Sequence, residues 1–305
     1  MGNPAPSITP VVCIFHNSDM DGHCAGAVVR HKFPDAIMLG MNYGDEVEWD
    51  KIPMGSIVYM VDFCLEDYMD MEALVNNAKE VYWYGHHTTA LNNMEQHGLL
   101  TQFTDWICEP DAPIGACEQT WLKLHPGKDV PTVVKMCSRY DVWDLDDDVL
   151  AFQYGMKLYP TWPTGEDSER FWYDLLSPGV RSSAADLIKS QGEPIYKYLQ
   201  LNWERRAKHS TFTVEIQGVR FLACNNGPNS SSSLDSVFDP EIHDAFLIFY
   251  WTGSKKEWRF SMYSNKDNVD LGSIASSFGG GGKEKAAGFA REELPDELAT
   301  IMLAK

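Results

Sequence analysis

Short apolar runs alternate with longer segments of helical spacing along the first 190 or so residues. Each run is rich in β-branched and aromatic residues, and in the segments that follow, apolar positions recur every three or four residues. This alternation predicts parallel β-α units. The predicted strands are Val11–Phe15, Ile57–Val61 and Val81–Tyr84, and the predicted helices are Cys24–Lys32, Glu66–Asn76, Ile114–Leu124, Val130–Tyr140 and Ser182–Ser190.

The pattern changes near residue 192. A polar helical segment, Glu193–Lys208, is followed by runs typical of strands. We therefore predict an α/β protein with a parallel-sheet N-terminal domain (1–192), a helical linker (193–208) and a smaller C-terminal α/β domain (209–305). The C-terminal strands are expected at Phe212–Ile216, Arg220–Cys224, Ala245–Trp251 and Trp258–Tyr263.

The composition and the net charge argue against some classes of binding partner. Of 305 residues, 44% are hydrophobic and 12% aromatic, which is enough to bury sizeable cores. Lysine and arginine total 25 against 44 aspartates and glutamates, a formal net charge of −19. That field repels long polyanions, so avid binding to duplex DNA is not expected. The longest apolar run, Ala245–Trp251, is too short to span a membrane, so no membrane partner is expected either.

The cysteines and the first residues bear on location. Seven cysteines form no C-x-x-C pair, and their number is odd, which indicates core thiols in a reducing compartment rather than a disulfide framework. The first residues combine neither a cationic start nor an apolar stretch, so no export signal is indicated. We expect a cytoplasmic protein, and a homodimer is one of the oligomeric states that the sequence leaves open.

Polar residues follow the first predicted strand directly. His16, Asp19 and Asp21 come after Val11–Phe15, and Gly22 lets the chain turn. Polar groups at the carboxyl ends of parallel strands commonly bind ligands. Both carboxylates can face a common ion from an extended loop, and imidazole together with carboxylates suits Mn, Fe or Zn. The alternative is a turn rich in helix-capping residues.

Three further candidates lie in similar positions. Asp62 follows the second predicted strand, and His86 with His87 follows the third. Asp141 ends a helical pattern, where a carboxylate is unfavourable beside the helix dipole unless a positive charge offsets it. Taken singly, Asp62 could be an ordinary cap and the histidine pair a solvated surface. Asp144 is the alternative to Asp141.

A glycine-rich segment near the end of the chain is a candidate anion site. Gly280, Gly281 and Gly282 run into Lys283, and the pattern predicts a bend that opens onto a short helix. Backbone N–H groups in such a bend can hold a phosphate. Arg259 could add positive charge, although it is interpreted equally well as a solvated strand residue.

Together these motifs resemble the DHH phosphoesterase superfamily over nearly the whole chain. His16, Asp19 and Asp21 look like its first motif, Asp62 its second, His86-His87 its third and Asp141 its fourth, while Phe278–Phe289 resembles the glycine-rich signature of the DHH-associated C-terminal domain. Two positions depart from the family pattern. Gly85 replaces the carboxylate of the name-giving triplet, and Lys283 stands where members commonly have histidine.

The resemblance implies a centre of two divalent ions, Mn²⁺ with Mg²⁺ or Co²⁺ as alternatives, in a cleft between the two domains. Asp62 would bridge the ions and take part in catalysis. His16 and Asp19 would complete one side, and Asp21, His86 and Asp141 the other.

The implied reaction is attack of metal-bound hydroxide on phosphorus. His87 would contact the phosphoryl oxygen or the leaving group, and Gly280, Gly281, Gly282, Lys283 and Arg259 would bind another part of the nucleotide. The expected substrates are short single-stranded oligonucleotides or cyclic and linear dinucleotides. The alternatives are a pyrophosphatase, a nucleoside bisphosphate phosphatase, or a protein that sequesters nucleotides without cleaving them.

Overall fold

The structure is a computed structural model that describes residues 9–109, 114–177, 181–225, 234 and 236–303. The chain divides into two compact units, Met1–Tyr196 and Lys197–Lys305.

The N-terminal unit is built on a five-stranded parallel sheet in the order β2-β1-β3-β4-β5. Its strands are β1 (Val11–His16), β2 (Ile37–Met41), β3 (Ile57–Val61), β4 (Glu80–Gly85) and β5 (Asp105–Cys108). Phe15 pairs with Val61, and Val61 pairs with Tyr84, so β1, β3 and β4 end side by side. The predicted parallel sheet is confirmed.

Eight helices accompany this sheet in the described part of the chain: α1 (Met20–Lys32), α2 (Tyr68–Asn77), α3 (Thr88–Gln96), α4 (Ala116–Leu124), α5 (Thr132–Asp141), α6 (Asp147–Met156), α7 (Glu166–Leu176) and α8 (Arg181–Ser210). Two apolar clusters cover the two faces of the sheet. One contains Phe15, Val28 and Trp121, and the other contains Ile14 and Trp83. Burial on both faces explains why the central strands are continuous apolar runs instead of alternating patterns.

The predicted helices Ser182–Ser190 and Glu193–Lys208 form one helix, α8, with Pro194 inside it. A proline removes one helical hydrogen bond and commonly ends a helix, so the pattern alone indicates a break. Close packing on α6 contributes to the continuity. A Cβ atom at Gly192 would lie 1.8 Å from the backbone oxygen of Ala151, and one at Gly155 would lie 2.0 Å from that of Ile188. Burial against α6 thus holds the turns that precede the proline in helical form.

The C-terminal unit has a six-stranded mixed sheet in the order β10-β11-β9-β8-β7-β6. Its elements are β6 (Thr211–Ile216), β7 (Val219–Asn225), β8 (Ala245–Thr252), β9 (Glu257–Tyr263), α9 (Leu271–Ser277), β10 (Gly281–Gly282), β11 (Ala286–Arg291) and α10 (Asp296–Leu303). Four phenylalanines, Phe221, Phe249, Phe260 and Phe289, lie in its apolar core. The four predicted strands are present, and the fold class, a parallel-sheet α/β domain followed by a smaller α/β domain, is confirmed.

The short helix predicted after the glycine-rich bend is wrong. The helix α9 precedes the bend, and the glycines lead into the β10–β11 hairpin. Close backbone approach explains the glycines: a Cβ at Gly280 would lie 2.2 Å from the oxygen of Gly288, and one at Gly282 would lie 2.4 Å from the Cα of Ala287. The bend therefore has no helix N-terminus to offer an anion.

All seven cysteines are buried and free of disulfide bonds. Within the described residues, no helix has the length and apolarity needed to cross a membrane.

Candidate metal centre

Three side chains from adjacent strands meet at the carboxyl edge of the parallel sheet. His16 is the last residue of β1, Asp62 follows β3, and His86 follows β4. His16 Nδ1 lies 3.5 Å from Asp62 Oδ2, and His86 Nε2 lies 3.7 Å from Asp62 Oδ1. Because β3 runs between β1 and β4, the carboxylate of Asp62 is placed between the two imidazoles.

Asp62 is held in a conformation that costs free energy. It is 1% exposed, and its φ of 51° falls in the left-handed region, where a residue other than glycine is strained by about 1–3 kcal/mol. Its N–H donates to the backbone oxygen of Tyr84 at 2.9 Å, which continues the sheet pairing. Its Oδ1 has no hydrogen-bond partner among the described residues. Burial, and then the charge of Asp21, raise the pKa of Asp62 well above its usual range. A positive charge is needed to keep this carboxylate ionised.

Asp19 caps the helix α1, and it also lies against His16 in the cluster of candidate ligands. Its Oδ1 caps α1 by accepting from the N–H of Gly22 at 2.9 Å, while its Oδ2 lies 2.7 Å from His16 Nδ1. The His16 contact is short but lacks hydrogen-bond geometry, and this buried nitrogen has no hydrogen-bond partner in the described chain. Burial lowers the pKa of His16, but the carboxylates of Asp19 and Asp62 outweigh it and raise the pKa to about 10.

Asp21 is anchored to the first turn of α4. Its Oδ2 accepts from the N–H of Ala116 at 2.7 Å, and its Oδ1 accepts from the N–H of Cys117 at 3.0 Å. The N–H of Gly115, which precedes α4, donates to the Ser138 hydroxyl of α5 at 2.8 Å. Burial, and then the charge of Asp141, raise the pKa of Asp21 to about 7. Backbone donors and the helix dipole thus position this carboxylate and compensate part of its charge.

Asp141, the last residue of α5, completes the second side of the cluster. Its Oδ2 lies 3.2 Å from His86 Nε2. Burial, and then the charge of Asp19, raise the pKa of Asp141 to about 6. Asp144 is instead an exposed residue whose Oδ2 accepts from Arg139 Nε at 2.6 Å. Asp141 therefore lies in the cluster, whereas Asp144 is paired with Arg139.

His87 precedes α3 and lies at the open side of the cluster. Its Nδ1 is 4.0 Å from Asp62 Oδ1, and 34% of its side chain is exposed. Its ring centroid is 5.0 Å from that of His86 and 6.3 Å from that of His16. This imidazole can therefore face both the cluster and a molecule bound beside it.

The donor atoms fall into overlapping groups, within each of which they lie no more than 4.8 Å apart. These groups are His16, Asp19 and Asp62; Asp21, His86 and Asp141; and Asp62, His86 and His87. Carboxylate oxygens and imidazole nitrogens suit divalent cations such as Mn, Fe, Co and Zn. Asp62 Oδ1 and His16 Nδ1 are buried without a hydrogen-bond partner in the described chain, and the pKa of Asp62 is raised. These features fit such cations, because a bound ion would accept a lone pair from each atom and offset the carboxylate charge.

Two features of this site had no signal in the sequence. One is the brace formed by α4 and Ser138 around Asp21, whose partners are 95 and 96 positions apart along the chain. The other is the ring of Tyr43, from the loop after β2, whose centroid lies 5.5 Å from His16, 5.9 Å from His87 and 5.1 Å from Phe63. The sequence pattern does not predict β2, so it does not place the loop after β2 beside the site.

The remaining candidates lie in the C-terminal unit. Arg259 stands on β9, and its Nε donates to Glu257 Oε1 at 3.1 Å. Gly280 precedes the β10–β11 hairpin, Gly281 and Gly282 form β10, and the N–H of Lys283 donates to the oxygen of Ala286 at 2.8 Å. The side chain of Lys283 is exposed.

Comparison with known proteins adds to this picture. No family model matches the sequence. A curated relative, the uncharacterized protein R106 of Acanthamoeba polyphaga mimivirus, is 22% identical over 246 residues, which is 79% of this chain and 54% of that protein. The chain thus spans about half the length of this relative.

Among solved structures, the pGpG-specific phosphodiesterase PggH of Vibrio cholerae superposes with a TM-score of 0.58 at 12% identity, and 93% of each chain is covered. The chain has a DHH-type fold. The DHH domain of a protein described as a member of a family of ribosomal proteins also matches, with a TM-score of 0.46, 14% identity and coverage of 93% of this chain and 82% of that one. The family resemblance drawn from the motifs is confirmed at the level of the fold.

Proposed function

We propose that this protein is a metal-dependent phosphodiesterase that cleaves short single-stranded oligonucleotides or cyclic and linear dinucleotides. The observation that carries the proposal is Asp62, a buried carboxylate held at a strained φ between His16 and His86, with one oxygen lacking any donor in the described chain. Strain of this kind persists where the surroundings enforce it and is concentrated at functional sites. The DHH-type fold, which a phosphodiesterase acting on pGpG shares, supports the same activity.

The ligand set that we propose follows the three groups of donor atoms. His16, Asp19 and Asp62 would hold one divalent ion, and Asp21, His86 and Asp141, together with the shared Asp62, would hold a second, with Mn²⁺ as the favoured metal. Bound divalent cations supply Lewis acidity and positive charge, which activate water and stabilise phosphoryl oxygens.

The remaining roles belong to the side chains themselves. His87, one third exposed beside Asp62, would donate an N–H to a phosphoryl oxygen or protonate the leaving group. Asp21, which accepts hydrogen bonds from the amides of α4, would hold its carboxylate in position beside His86 and Asp141. The C-terminal unit would bind another part of the nucleotide through Arg259, Gly280, Gly281, Gly282 and Lys283.

The test is turnover of a substrate panel: a linear dinucleotide, a cyclic dinucleotide, a nucleoside bisphosphate and pyrophosphate. Each is incubated with Mn²⁺, Mg²⁺, Co²⁺ or EDTA. The proposal expects cleavage of the dinucleotides that requires metal. Preferential turnover of pyrophosphate or of the bisphosphate would favour those alternatives, and tight binding without products would favour a sequestering protein.

One single variant and one matched pair of variants test the site. Asp62→Asn retains a side chain that tolerates positive φ and should reduce turnover by at least about 100-fold, more than the loss typical of residues that only support a ligand. Asp141→Ala should reduce turnover by a similar factor, whereas Asp144→Ala, which removes an exposed carboxylate paired with Arg139, should leave it within about twofold. Equal activity of Asp141→Ala and the natural protein would remove Asp141 from the ligand set.

A further inference from the structure

Tyr43 is a half-exposed aromatic side chain at the rim of the metal cluster. It is 41% exposed, although its ring approaches His16, His87 and Phe63. Scattered exposed aromatic residues are common on proteins and need no special explanation. What distinguishes Tyr43 is that it contacts both His16, a candidate ligand, and His87, the candidate contact to the substrate.

The loop that carries Tyr43 is braced on both sides of the ring. The N–H of Asn42 donates to Asp45 Oδ2 at 2.7 Å, and the N–H of Gly44 donates to Glu66 Oε2 at 2.7 Å. The Ser18 hydroxyl, from the loop that bears Asp19, donates to Asn42 Oδ1. The backbone at both neighbours of Tyr43 is therefore fixed, and the loop is tied to the β1–α1 loop of the candidate metal site.

Charge gives the protein little attraction for a nucleotide at this edge. The net charge is −19, and the rim contains Asp19 as well as the buried carboxylates. Cations bound in the cluster would attract the phosphate, but they would not distinguish a nucleotide from any other phosphate. Stacking on an aromatic ring requires no charged side chain and is open to any base, because every base has a π-face.

We propose that Tyr43 forms a nucleobase subsite, in which its ring stacks on the base of the nucleoside whose phosphate is held at the His16, Asp62 and His87 edge. The inference rests on the proposed function and deepens it. In a nucleotide one sugar joins the base to the phosphate, and the ring centroid of Tyr43 lies 5.9 Å from that of His87. A phosphate held at His87 would therefore bring its base close to Tyr43. The substrate class that follows is a phosphodiester with a nucleobase next to the cleaved bond, as opposed to pyrophosphate or polyphosphate.

The experiment combines Tyr43 variants with matched substrates. The substrates are a guanine dinucleotide and its two counterparts with one base removed. Tyr43→Leu should raise KM for the complete dinucleotide by about 5- to 150-fold, the factor that loss of one stacked base produces, with kcat within about twofold. For one of the two abasic substrates the same variant should change KM by less than about twofold, because the base that Tyr43 would stack on is already missing. Tyr43→Phe and Tyr43→Trp should keep the KM of the natural protein or lower it.

Tyr68 provides the control. It is 39% exposed and stacks on His97 at 3.9 Å between ring centroids, so Tyr68→Leu removes a similar ring away from the cluster and should leave all three KM values unchanged. Equal effects of Tyr43→Leu on all three substrates, or a raised KM for Tyr43→Trp, would overturn the subsite while leaving the activity intact.

Failure of the proposed function gives a different result. If the natural protein cleaves none of the substrates, calorimetric titration of the Mn²⁺-loaded protein with GMP still tests the subsite. Weaker binding of GMP to Tyr43→Leu than to Tyr68→Leu would support it, and equal binding would overturn it.

Discussion

Replacing the central carboxylate by its amide should stabilise the metal-free protein and remove its response to metal. In Asp62→Asn the side chain keeps its size, and asparagine tolerates the φ of 51°. The change removes a charge that is 1% exposed and lies among other carboxylates. Burial, and then the charge of Asp21, raise the pKa of Asp62 well above its usual value, so the net environment opposes the ionised form despite the nearby His16.

The size of the effect follows from this environment. A buried polar group without a partner costs about 1–3 kcal/mol, and a charged group costs more. The amide keeps a polar atom at the unpartnered Oδ1 position, but it removes the charge that burial and Asp21 disfavour. We therefore expect the amide to raise the free energy of unfolding of the metal-free protein by about 1–3 kcal/mol. For a domain of this size, that corresponds to an increase in Tm of about 2–12 °C.

Metal should reverse the order of stability. A ligand present at about 1,000 times its Kd stabilises the folded state by about 4.1 kcal/mol, which exceeds the gain of about 1–3 kcal/mol expected from the amide. Saturating Mn²⁺ should thus raise the Tm of the natural protein above its EDTA value, and the Tm of Asp62→Asn should change little. Calorimetry in EDTA and in Mn²⁺ measures both quantities, with the exposed Asp35→Asn as a control expected to stay within about 0.5 kcal/mol. A lower Tm of Asp62→Asn in EDTA would show that the carboxylate contributes structural bonds and would refute the reasoning.

Three other outcomes are expected. In the folded state the pKa of Asp21 is raised to about 7 and that of Asp141 to about 6, from the ordinary 3.8, so the folded state binds more protons than the unfolded state. The free energy of unfolding of the metal-free protein, measured in urea, should therefore fall as pH rises from about 4 to about 7. A flat or rising profile would contradict this. Gly115→Ala places a Cβ 2.8 Å from Asp21 Oδ1, so calorimetric titration should show Mn²⁺ affinity reduced by about 10- to 100-fold, and unchanged affinity would argue against the α4 brace. Gly280→Ala places a Cβ 2.2 Å from a backbone oxygen of β11, whereas a Cβ at Gly281 meets nothing within 4 Å. Gly280→Ala should therefore lower the Tm in calorimetry, and Gly281→Ala should not. An equal loss in the two variants would count against the packing of the hairpin.

The sequence by itself determined the central strands and most of their polar ends. β1, β3 and β4 are buried on both faces, so each is a continuous apolar run that stands out from its flanks. Because parallel strands end at the same edge, the sequence alone predicts that His16, Asp62 and His86 lie together. The same alternation placed Asp21 in the loop after the first strand and Asp141 at the end of a helical pattern, whereas α1 begins at Met20 and includes Asp21.

Elements at the margins could not be predicted in this way. β2 and β5 are edge strands with mixed burial, and the pattern does not distinguish them from loops. A glycine-rich bend before a helical pattern predicts a helix N-terminus at the C-terminal glycines, and the structure has a hairpin there instead. The deciding interaction is the approach of Gly280 to Gly288, between two segments of the hairpin, and the spacing of glycines alone does not specify it.

Tertiary structure alone decided the finer arrangement of the site. It placed Asp141 beside His86 and paired Asp144 with Arg139, although both aspartates follow the same helical pattern. It also placed the N–H groups at the start of α4 within hydrogen-bond distance of Asp21, and the ring of Tyr43 5.9 Å from that of His87. The physical reason is that hydrogen bonds and ring contacts depend on distance and angle between segments far apart in the chain, whereas local pattern reports only which side of an element is buried.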